Sequence, residues 1–333
     1  MSEIRMITSS DEHLCDYSPG FRKDDYRAAI LRKLEFQGSF VKKFSANCFL
    51  RGGDFFHVKS PGKTSHRTMA DVIKIHQSYK CPVYALIGNH DMLFNNLDTV
   101  DKQPLNVLYE SKIFRPLVDE LIESGSLRVR IVGVPYIPGL NIDVLQEMVK
   151  KSDDDIYTIA VIHVLASYAP VDRFQTYYGE QIFDYRDLIF NGCPDVYVFG
   201  HYHKDQGIQK IGDTYFVNLG AISRGSLTFE NMERKPKISS IIFNSSGISI
   251  EEHIIPHDDA AEVFDLNKKK QLDIERKSLD DFINQLKSGS KFDGKDAVRD
   301  RFNSFDWKQF IPDLRQVVFD TIEAAESGVL IDD

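Results

Sequence analysis

Short apolar runs alternate with longer stretches of helical periodicity over about the first 225 residues. Two of the longer stretches, residues 24–44 and 68–79, repeat apolar positions every three or four residues, as one face of an amphipathic helix does. The shorter runs predict strands at residues 4–10, 47–50, 83–87, 129–134, 157–162 and 195–199. Strands that alternate with helices along the chain indicate a layered α/β domain.

The pattern changes beyond about residue 213. Further strands are predicted at residues 214–218, 237–243 and 248–255. The last two are joined by a short turn containing Gly247, which predicts a hairpin. After Pro256 the chain becomes charged, with apolar positions at helical spacing over residues 272–286 and 305–325. The predicted parts are a main α/β domain (1–225), a β-hairpin section that closes or caps it (226–260) and a helical tail (261–333).

Composition narrows the class of protein. Of the 333 residues, 42% are hydrophobic and 27% charged, which is typical of a folded globular chain. No apolar run reaches the roughly 18 residues that a membrane span needs, and the N-terminus lacks the pattern of a signal peptide, so we expect a cytoplasmic protein that uses no membrane. The four cysteines form no C-x-x-C pair, so neither a disulfide framework nor a zinc knuckle is indicated.

Five short clusters of Asp, His and Asn stand where predicted strands end. They are Asp11 with His13, Asp54 after Gly53, the run Gly88 to Asp91, His163, and His201 with His203. Residues i and i+2 of a strand point to the same side, so a D-x-H or H-x-H spacing aims two side chains at one site. Imidazole nitrogens mixed with carboxylate and amide oxygens suit manganese, iron or zinc. Each cluster alone occurs by chance in many proteins, but five in order predict a site for two metal ions.

These five blocks resemble the motifs of the calcineurin-like metallophosphoesterase superfamily: D-x-H, G-D, G-N-H-D, a lone His, and G-H-x-H. The second block has His57 three residues after Asp54, where the protein phosphatases of the superfamily have D-R-G. This G-D-x-x-H form, the Asn218–Arg224 segment and the helical tail look like the SbcD-type nucleases, which pair with an SbcC-type ATPase in double-strand-break repair and are also encoded by large bacteriophages. The resemblance implies a four-layer α/β sandwich with a small β-containing cap and a helical C-terminal tail.

Residue roles follow from the resemblance by position. One divalent ion, with Mn²⁺ expected, would be held by Asp11, His13, Asp54 and His203. A second would be held by Asp54, Asn89, His163 and His201. His90, which stands next to the ligand Asn89, matches the catalytic histidine of the family. His57 would position the phosphate or the DNA strand. Asp91 is expected to orient a histidine, as carboxylates near metal sites commonly do.

The expected activity is two-metal phosphodiester hydrolysis on DNA, as the exonuclease and endonuclease subunit of an SbcCD-like recombination and repair complex. The expected partners are DNA, an SbcC-type ATPase that docks on the helical tail, and a second copy of the chain in a homodimer. A cyclic-nucleotide or small-molecule phosphodiesterase is the alternative. A non-catalytic scaffold is a weaker one, because an interaction surface has no physical need for seven metal ligands.

Overall fold

The structure, a computed structural model, describes residues 2–57, 59–152, 157–171, 176–177, 179–271 and 319. The chain divides into two compact units, Met1–Phe264 and Asp265–Asp333. Apart from residue 319, the two helices predicted for the tail lie outside the described residues. Among the helices of the described part, none combines the length and the apolar character that crossing a membrane requires.

The first unit contains strands and helices in alternation. The strands are β1 (Glu3–Ser9), β2 (Cys48–Arg51), β3 (Val83–Ala85), β4 (Arg115–Pro116), β5 (Asp119–Ser124), β6 (Leu127–Val134), β7 (Tyr157–Val164), β8 (Ala166–Ser167), β9 (Thr176–Tyr177), β10 (Glu180–Gln181), β11 (Phe183–Asp184), β12 (Val196–His201), β13 (Asp205–Ile211), β14 (Thr214–Leu219), β15 (Lys237–Asn244) and β16 (Gly247–Ile254). The α-helices are α1 (Tyr26–Phe44), α2 (His66–Gln77), α3 (Pro104–Glu110), α4 (Ile142–Val149), α5 (Phe229–Glu233) and α6 (Ala260–Val263). Short 3₁₀ turns cover Pro61–Lys63, Asn89–Asp91, Leu97–Lys102 and Tyr185–Leu188.

Two six-stranded sheets form the core of this unit. The first has the order β16-β15-β1-β2-β3-β4, with parallel pairing from β1 to β4. The second has the order β13-β14-β12-β7-β6-β5, with parallel pairing from β14 to β6. The antiparallel pairs are β16 with β15 and β15 with β1 in the first sheet, and β13 with β14 and β5 with β6 in the second. Two small ribbons, β9 with β10 and β8 with β11, lie between β7 and β12 in the sequence.

Three apolar clusters lie between successive layers of the unit, so the unit has four layers. Alternate residues of β1 point to opposite faces: Ile7 packs with α1 and α2, whereas Met6 packs with side chains of the second sheet. The other face of the second sheet carries its own cluster, in which Phe216 packs with Leu145 of α4. The order helix, sheet, sheet, helix is the four-layer α/β sandwich that was predicted.

Capping residues set where the first two helices begin. The carboxylate of Asp25 accepts a hydrogen bond from the backbone N–H of Ala28 (2.9 Å), and the hydroxyl of Ser65 accepts one from that of Thr68 (3.2 Å). Each bond satisfies one of the free N–H groups of a helix start. The cap at Ser65 explains why α2 begins two residues earlier than apolar periodicity alone predicted.

The C-terminal strands of the first unit join both sheets. The predicted hairpin is present as β15 and β16, and β15 pairs antiparallel with β1 so that Glu3 lies opposite Asn244. Strand β14, predicted as part of the same antiparallel section, pairs parallel with β12 in the second sheet and antiparallel with β13. The hairpin therefore extends the first sheet at the strand that leads into Asp11.

Candidate metal centre

The carboxyl ends of five strands meet at one edge of the sandwich. Strand β1 leads into Asp11 and His13, and β2 leads into Asp54. Strand β3 leads into Asn89, while His163 and His201 lie at or near the ends of the adjacent parallel strands β7 and β12. Parallel strands that end together place their following residues together, and open α/β sheets bind ligands at this edge.

Backbone hydrogen bonds lock the first two loops against each other. The N–H of Asp11 donates to the carbonyl of Gly53 (3.1 Å), and the N–H of His13 donates to the carbonyl of Asp54 (3.0 Å). Asp11, His13 and Asp54 have φ angles of 56°, 46° and 54°, in the left-handed region. Non-glycine residues rarely adopt this conformation, and such strain collects at functional sites.

Two glycines leave room for side chains of the site. Gly53 has φ of 100°, and a Cβ added to it would lie 2.4 Å from Nδ1 of His163. A Cβ at Gly88 would lie 2.1 Å from Oδ1 of Asp54. The two positions therefore exclude larger residues because the backbone itself packs against the site.

The four residues predicted to hold the first ion lie together. Their donor atoms are all within 4.8 Å of one another: Asp11, His13, Asp54 and His203. The Nε2 atom of His13 is 3.6 Å from Oδ2 of Asp54, and Nε2 of His203 is 3.6 Å from Oδ1 of Asp11. The Nε2 atoms of the two histidines are 3.0 Å apart.

The residues predicted for the second ion form an overlapping group. Donor atoms of Asp54, His163 and His201 also lie within 4.8 Å of one another. The Nε2 atom of His163 is 3.4 Å from Oδ2 of Asp54 and 3.4 Å from Oδ1 of Asn89. Asp54 belongs to both groups, as the bridging carboxylate of a two-metal site must.

Two of these histidines use their other ring nitrogen for a protein partner. Nδ1 of His163 donates to the carbonyl of Gly52 (2.7 Å), which leaves Nε2 free for a metal. Nε2 of His201 contacts a carboxylate oxygen of Glu180 (2.9 Å), which leaves Nδ1. The hydroxyl of Tyr136 donates to the other oxygen of Glu180 (2.9 Å). Ligating histidines generally have such partners, which fix the tautomer and the ring orientation.

Glu180 and Tyr136 were not predicted from the sequence. Glu180 lies in the two-residue strand β10 and Tyr136 follows β6, so neither belongs to a motif. The contact joins three segments that are distant in the sequence. No local pattern signals such a contact.

His90 and His57 lie beside the first group. Their rings are stacked, with centroids 5.4 Å apart and planes 13° apart, and Nδ1 of His57 is 3.3 Å from Nδ1 of His13. Nδ1 of His90 donates to the carbonyl of His57 (2.6 Å), because a carbonyl can only accept. Nε2 of His90 is therefore the atom that can exchange a proton with a substrate.

Asp91 has a different role from the predicted one. Its buried carboxylate accepts hydrogen bonds from the backbone N–H groups of Gly88 (3.0 Å), Phe56 (3.2 Å) and Phe55 (3.4 Å). These are bonds to backbone, not to a histidine, so Asp91 holds the second and third loops together. Burial, with the charge of Asp54 beside it, raises the pKa of Asp91 to about 7.

The electrostatics of the buried site favour ionised carboxylates. Burial alone would raise the pKa of Asp11, but the hydrogen bond and charge of His203 outweigh it and hold that pKa below its usual range. Burial is likewise outweighed for Asp54, whose pKa is held low by His163. Burial lowers the pKa of His13. At His163 burial is the largest single effect, but the charge and hydrogen bond of Asp54, the charge of Asp11 and the hydrogen bond to Gly52 together outweigh it and raise the pKa to about 9. Carboxylates that stay ionised are the form that binds metal.

The donor set fits divalent metal ions. Atoms that ligate one ion at about 2.1 Å lie roughly 3.0–4.2 Å from each other, and the separations above fall mostly within that span. Nitrogen and oxygen donors are mixed, the usual ligands of transition ions. The groups lie at a cavity of about 460 Å³ whose lining includes Asp54, Asn89, His90, Glu180, His201 and His203. We conclude that this is a divalent-metal site.

Comparison with solved structures finds matches from Danio rerio and Thermus thermophilus. A dimetal phosphatase from Danio rerio has a TM-score of 0.50 and 10% identity, with coverage of 77% of this chain and 99% of that one. The protein TT1561 of Thermus thermophilus has a TM-score of 0.45 and 12% identity, with coverage of 76% and 99%. The sulfate thiohydrolase SoxB of Thermus thermophilus, solved with glycerol, has a TM-score of 0.42 and 13% identity; 76% of this chain matches 56% of SoxB.

A family comparison agrees with the site geometry. No curated protein sequence matches the chain significantly. The sequence profile of the calcineurin-like phosphoesterases, in contrast, matches residues 8–205, which is more than half of the 333 residues and includes every residue of the two donor groups. The chain therefore belongs to the calcineurin-like phosphoesterase family, and it is a metal-dependent phosphoester hydrolase.

Proposed function

We propose that the protein is a manganese-dependent DNA nuclease that hydrolyses phosphodiesters with two metal ions. The observation that carries this proposal is the stacked pair of His90 and His57 beside two donor groups that share Asp54. In the SbcD-type nucleases that the second motif resembles, a histidine stands at the position of His57. The seven donors and His90 are assigned their roles as part of this proposal.

The chain's own groups account for orientation and proton transfer. When bound, two divalent ions supply an activated water and stabilise charge on the phosphoryl oxygens. Nε2 of His90 gives a proton to the leaving oxygen, while its Nδ1 stays bonded to the carbonyl of His57. The ring of His57 lies 5.3 Å from that of His13 and 5.4 Å from that of His90, centroid to centroid, where it can contact a phosphate next to the scissile one.

An exposed aromatic residue four positions after His90 in the sequence supports a polymeric substrate. Phe94 is 92% exposed and has φ of 52° at the tip of a turn closed by a bond from the N–H of Asn96 to the carbonyl of Leu93 (2.9 Å). Nζ of Lys59 donates to the side-chain carbonyl of Asn95 in the same turn (3.1 Å). A bulky residue held at positive φ and presented to solvent beside a lysine suits stacking on a nucleobase next to a phosphate.

The proposal extends to partners and location. The tail beyond residue 264 would dock an SbcC-type ATPase, the catalytic unit would act in a homodimer, and the complex would work in the cytoplasm on DNA breaks. The partner assignments rest on the sequence resemblance.

A small-molecule or cyclic-nucleotide phosphodiesterase is the second candidate. Besides Asp54, the acidic residues Glu180 and Glu230 line the cavity with one lysine, Lys204, and the chain has a net charge of −9. Acidic groups at the site repel a polyanion, which favours a smaller substrate.

An assay of the purified full chain separates the two candidates. Linear duplex, hairpin and single-stranded DNA are incubated with Mn²⁺ beside the generic ester bis-p-nitrophenyl phosphate. A nuclease cleaves the DNA, and Phe94→Ala slows DNA cleavage without slowing ester hydrolysis. Ile254→Ala, which alters an exposed apolar residue of β16, is the control. Hydrolysis of the ester alone would establish the second candidate.

A further inference from the structure

The middle residue of the D-x-H motif points away from the metal centre. Asp11 and His13 face the donor groups, whereas the side chain of Glu12 between them is fully buried. Its Oε1 accepts a hydrogen bond from Nη1 of Arg51 (2.5 Å) and one from the hydroxyl of Ser9 (2.5 Å). Arg51 is the last residue of β2, three positions before Asp54. The pair therefore joins the stem of the first ligand loop to the stem of the second.

Arg51 is held on several sides. Its guanidinium lies 4.7 Å from the ring centroid of Phe49, 5.1 Å from that of Phe55 and 5.5 Å from that of Phe114. Nη2 donates to Nε2 of His76 (2.7 Å) and to the side-chain carbonyl of Gln37 (3.1 Å). The three rings and the two acceptors together fix the orientation of the guanidinium. The hydrogen bond from Arg51 then fixes the position of the Glu12 carboxylate.

Stability does not explain this pair. Two of its buried atoms, Oε2 of Glu12 and Nε of Arg51, have no hydrogen-bond partner within the described residues. Desolvating two charges costs several kcal/mol per ion, and incompletely bonded buried pairs are commonly no more stable than apolar side chains of similar volume. A salt bridge at this position is better explained by the geometry that it imposes.

The loops above the pair need such support. Asp11, His13 and Asp54 all adopt left-handed φ angles, which cost of order 1–3 kcal/mol each unless the surroundings enforce them. We propose that Glu12 and Arg51 are positioning residues that fix the spacing of the two ligand loops and hence of the two metal positions. The inference rests on the proposed two-metal site.

The test compares four variants of the full chain with the wild type by Mn²⁺ electron paramagnetic resonance and by hydrolysis of bis-p-nitrophenyl phosphate. The Glu12→Leu/Arg51→Met double variant replaces the pair with apolar groups. We expect it to fold with a lowered melting temperature, because the buried acceptors of Gln37 and His76 lose their donor. We expect it to lose the exchange-coupled signal of two neighbouring Mn²⁺ ions and to lower kcat about 10–100-fold with KM little changed. Tyr157→Phe, which removes the hydroxyl bond to Asn244 at the opposite end of β7, is the control for general weakening.

Arg51→Lys and Glu12→Gln cover the case in which the double variant does not fold. Each keeps one polar contact of the pair, and each is expected to show a smaller loss in the same direction. Wild-type spectra and kcat in a folded double variant, or in both conservative variants, would overturn the inference. Absence of a coupled Mn²⁺ signal in the wild-type chain would instead contradict the two-metal function itself.

Discussion

At the scale of single residues, the histidines of the centre have fixed tautomers. His163, His201 and His90 each give one ring nitrogen to a protein acceptor: a carbonyl, the carboxylate of Glu180 and a second carbonyl. The other nitrogen of each ring is left for a metal or a proton. The protein thus decides the role of each ring before any ligand is present.

The shared carboxylate should be the most sensitive position. We expect Asp54→Asn to lower hydrolysis of bis-p-nitrophenyl phosphate at least about 100-fold, since changes to groups that merely support ligands cost about 10–100-fold. Metal content by mass spectrometry should fall, while circular dichroism stays as in the wild type. Asp119→Asn, an exposed change on β5, is the matched control. Full activity of Asp54→Asn would refute the two-metal assignment.

His90 should separate catalysis from metal binding. We expect His90→Ala to retain its metal and to lose about 10²–10⁴-fold in kcat, the usual contribution of a positioned general acid. His66→Ala, at the exposed start of α2, should behave like the wild type. A metal content that falls in step with kcat would show that His90 is a ligand or supports one.

Glu180 tests the support of the second donor group. Because its carboxylate holds Nε2 of His201, we expect Glu180→Ala to weaken binding of one of two Mn²⁺ ions about 10–100-fold, measured by calorimetry. Glu180→Gln keeps an oxygen acceptor and should lose less. Two unchanged binding steps in Glu180→Ala would assign the contact no role in metal binding.

At the scale of elements, periodicity and caps predicted most of the framework. The predicted strand at residues 157–162 is β7, and the predicted helix at 24–44 is α1. Both follow from patterns confined to a few neighbouring residues. The pairing of β15 with β1 and the contact of Glu180 with His201 join segments far apart in the chain, and no local pattern specifies which distant segment will be the partner.

The same limit applies to the site. Strand-end position predicted that the five clusters of Asp, His and Asn meet at one edge, and the family resemblance named seven of their side chains as ligands. The i, i+2 argument does not describe the first cluster, because Asp11 and His13 follow the end of β1 and have left-handed φ angles. Glu12 and Arg51 look like ordinary charged residues in the sequence, and their burial is decided by how β2, α1 and α2 pack. The motif identifies what faces the ligand, whereas tertiary packing determines what supports it.

His76 in helix α2 should make the free energy of unfolding depend on pH. Nδ1 of His76 donates to the carbonyl of Val72, so Nε2 must be unprotonated to accept from Arg51. Burial, followed by the charge of Arg51, holds the pKa of His76 well below its usual value. As the pH falls, His76 is therefore protonated in the unfolded chain before it is protonated in the folded one. The stability that neutral His76 contributes to the folded state is complete above a pH of about 6.5 and falls by about 1.4 kcal/mol for each pH unit below it.

Urea unfolding between pH 7 and pH 5 measures this loss. In His76→Gln, which has no titrating ring, the fall in unfolding free energy with acidification should be shallower than in the wild type. His66→Gln, on the exposed start of the same helix, should keep the wild-type slope. Equal slopes for all three proteins would show that His76 does not titrate on unfolding.

At the scale of the whole molecule, the unit boundary directs the partner experiment. Val263 and Phe264 are buried with Leu227, so they belong to the catalytic unit although the tail was predicted to begin at residue 261. A chain that ends at residue 264 should therefore keep Mn²⁺-dependent hydrolysis of the ester. If the tail is the docking segment, the same chain should no longer capture an SbcC-type ATPase in a pull-down.

Two controls give that experiment a clear outcome. The full-length chain must capture the ATPase, and full-length Asp54→Asn should do so as well, because capture needs no catalysis. Undiminished capture by the shortened chain would place the interface on residues 1–264. Loss of folding on shortening would show that the tail is required by the catalytic unit.

The place of β1 between β15 and β2 has a consequence for how the protein is made. Strand β1 leaves the ribosome well before β15, yet Glu3 pairs with Asn244, which is synthesised tens of seconds later at about 5–20 residues per second. Throughout that interval one edge of β1 lacks its native partner, and unpaired strand edges invite aggregation. The nascent chain therefore needs protection until the hairpin emerges, and the ligand loop that follows β1 reaches its final surroundings only near the end of translation of the first unit.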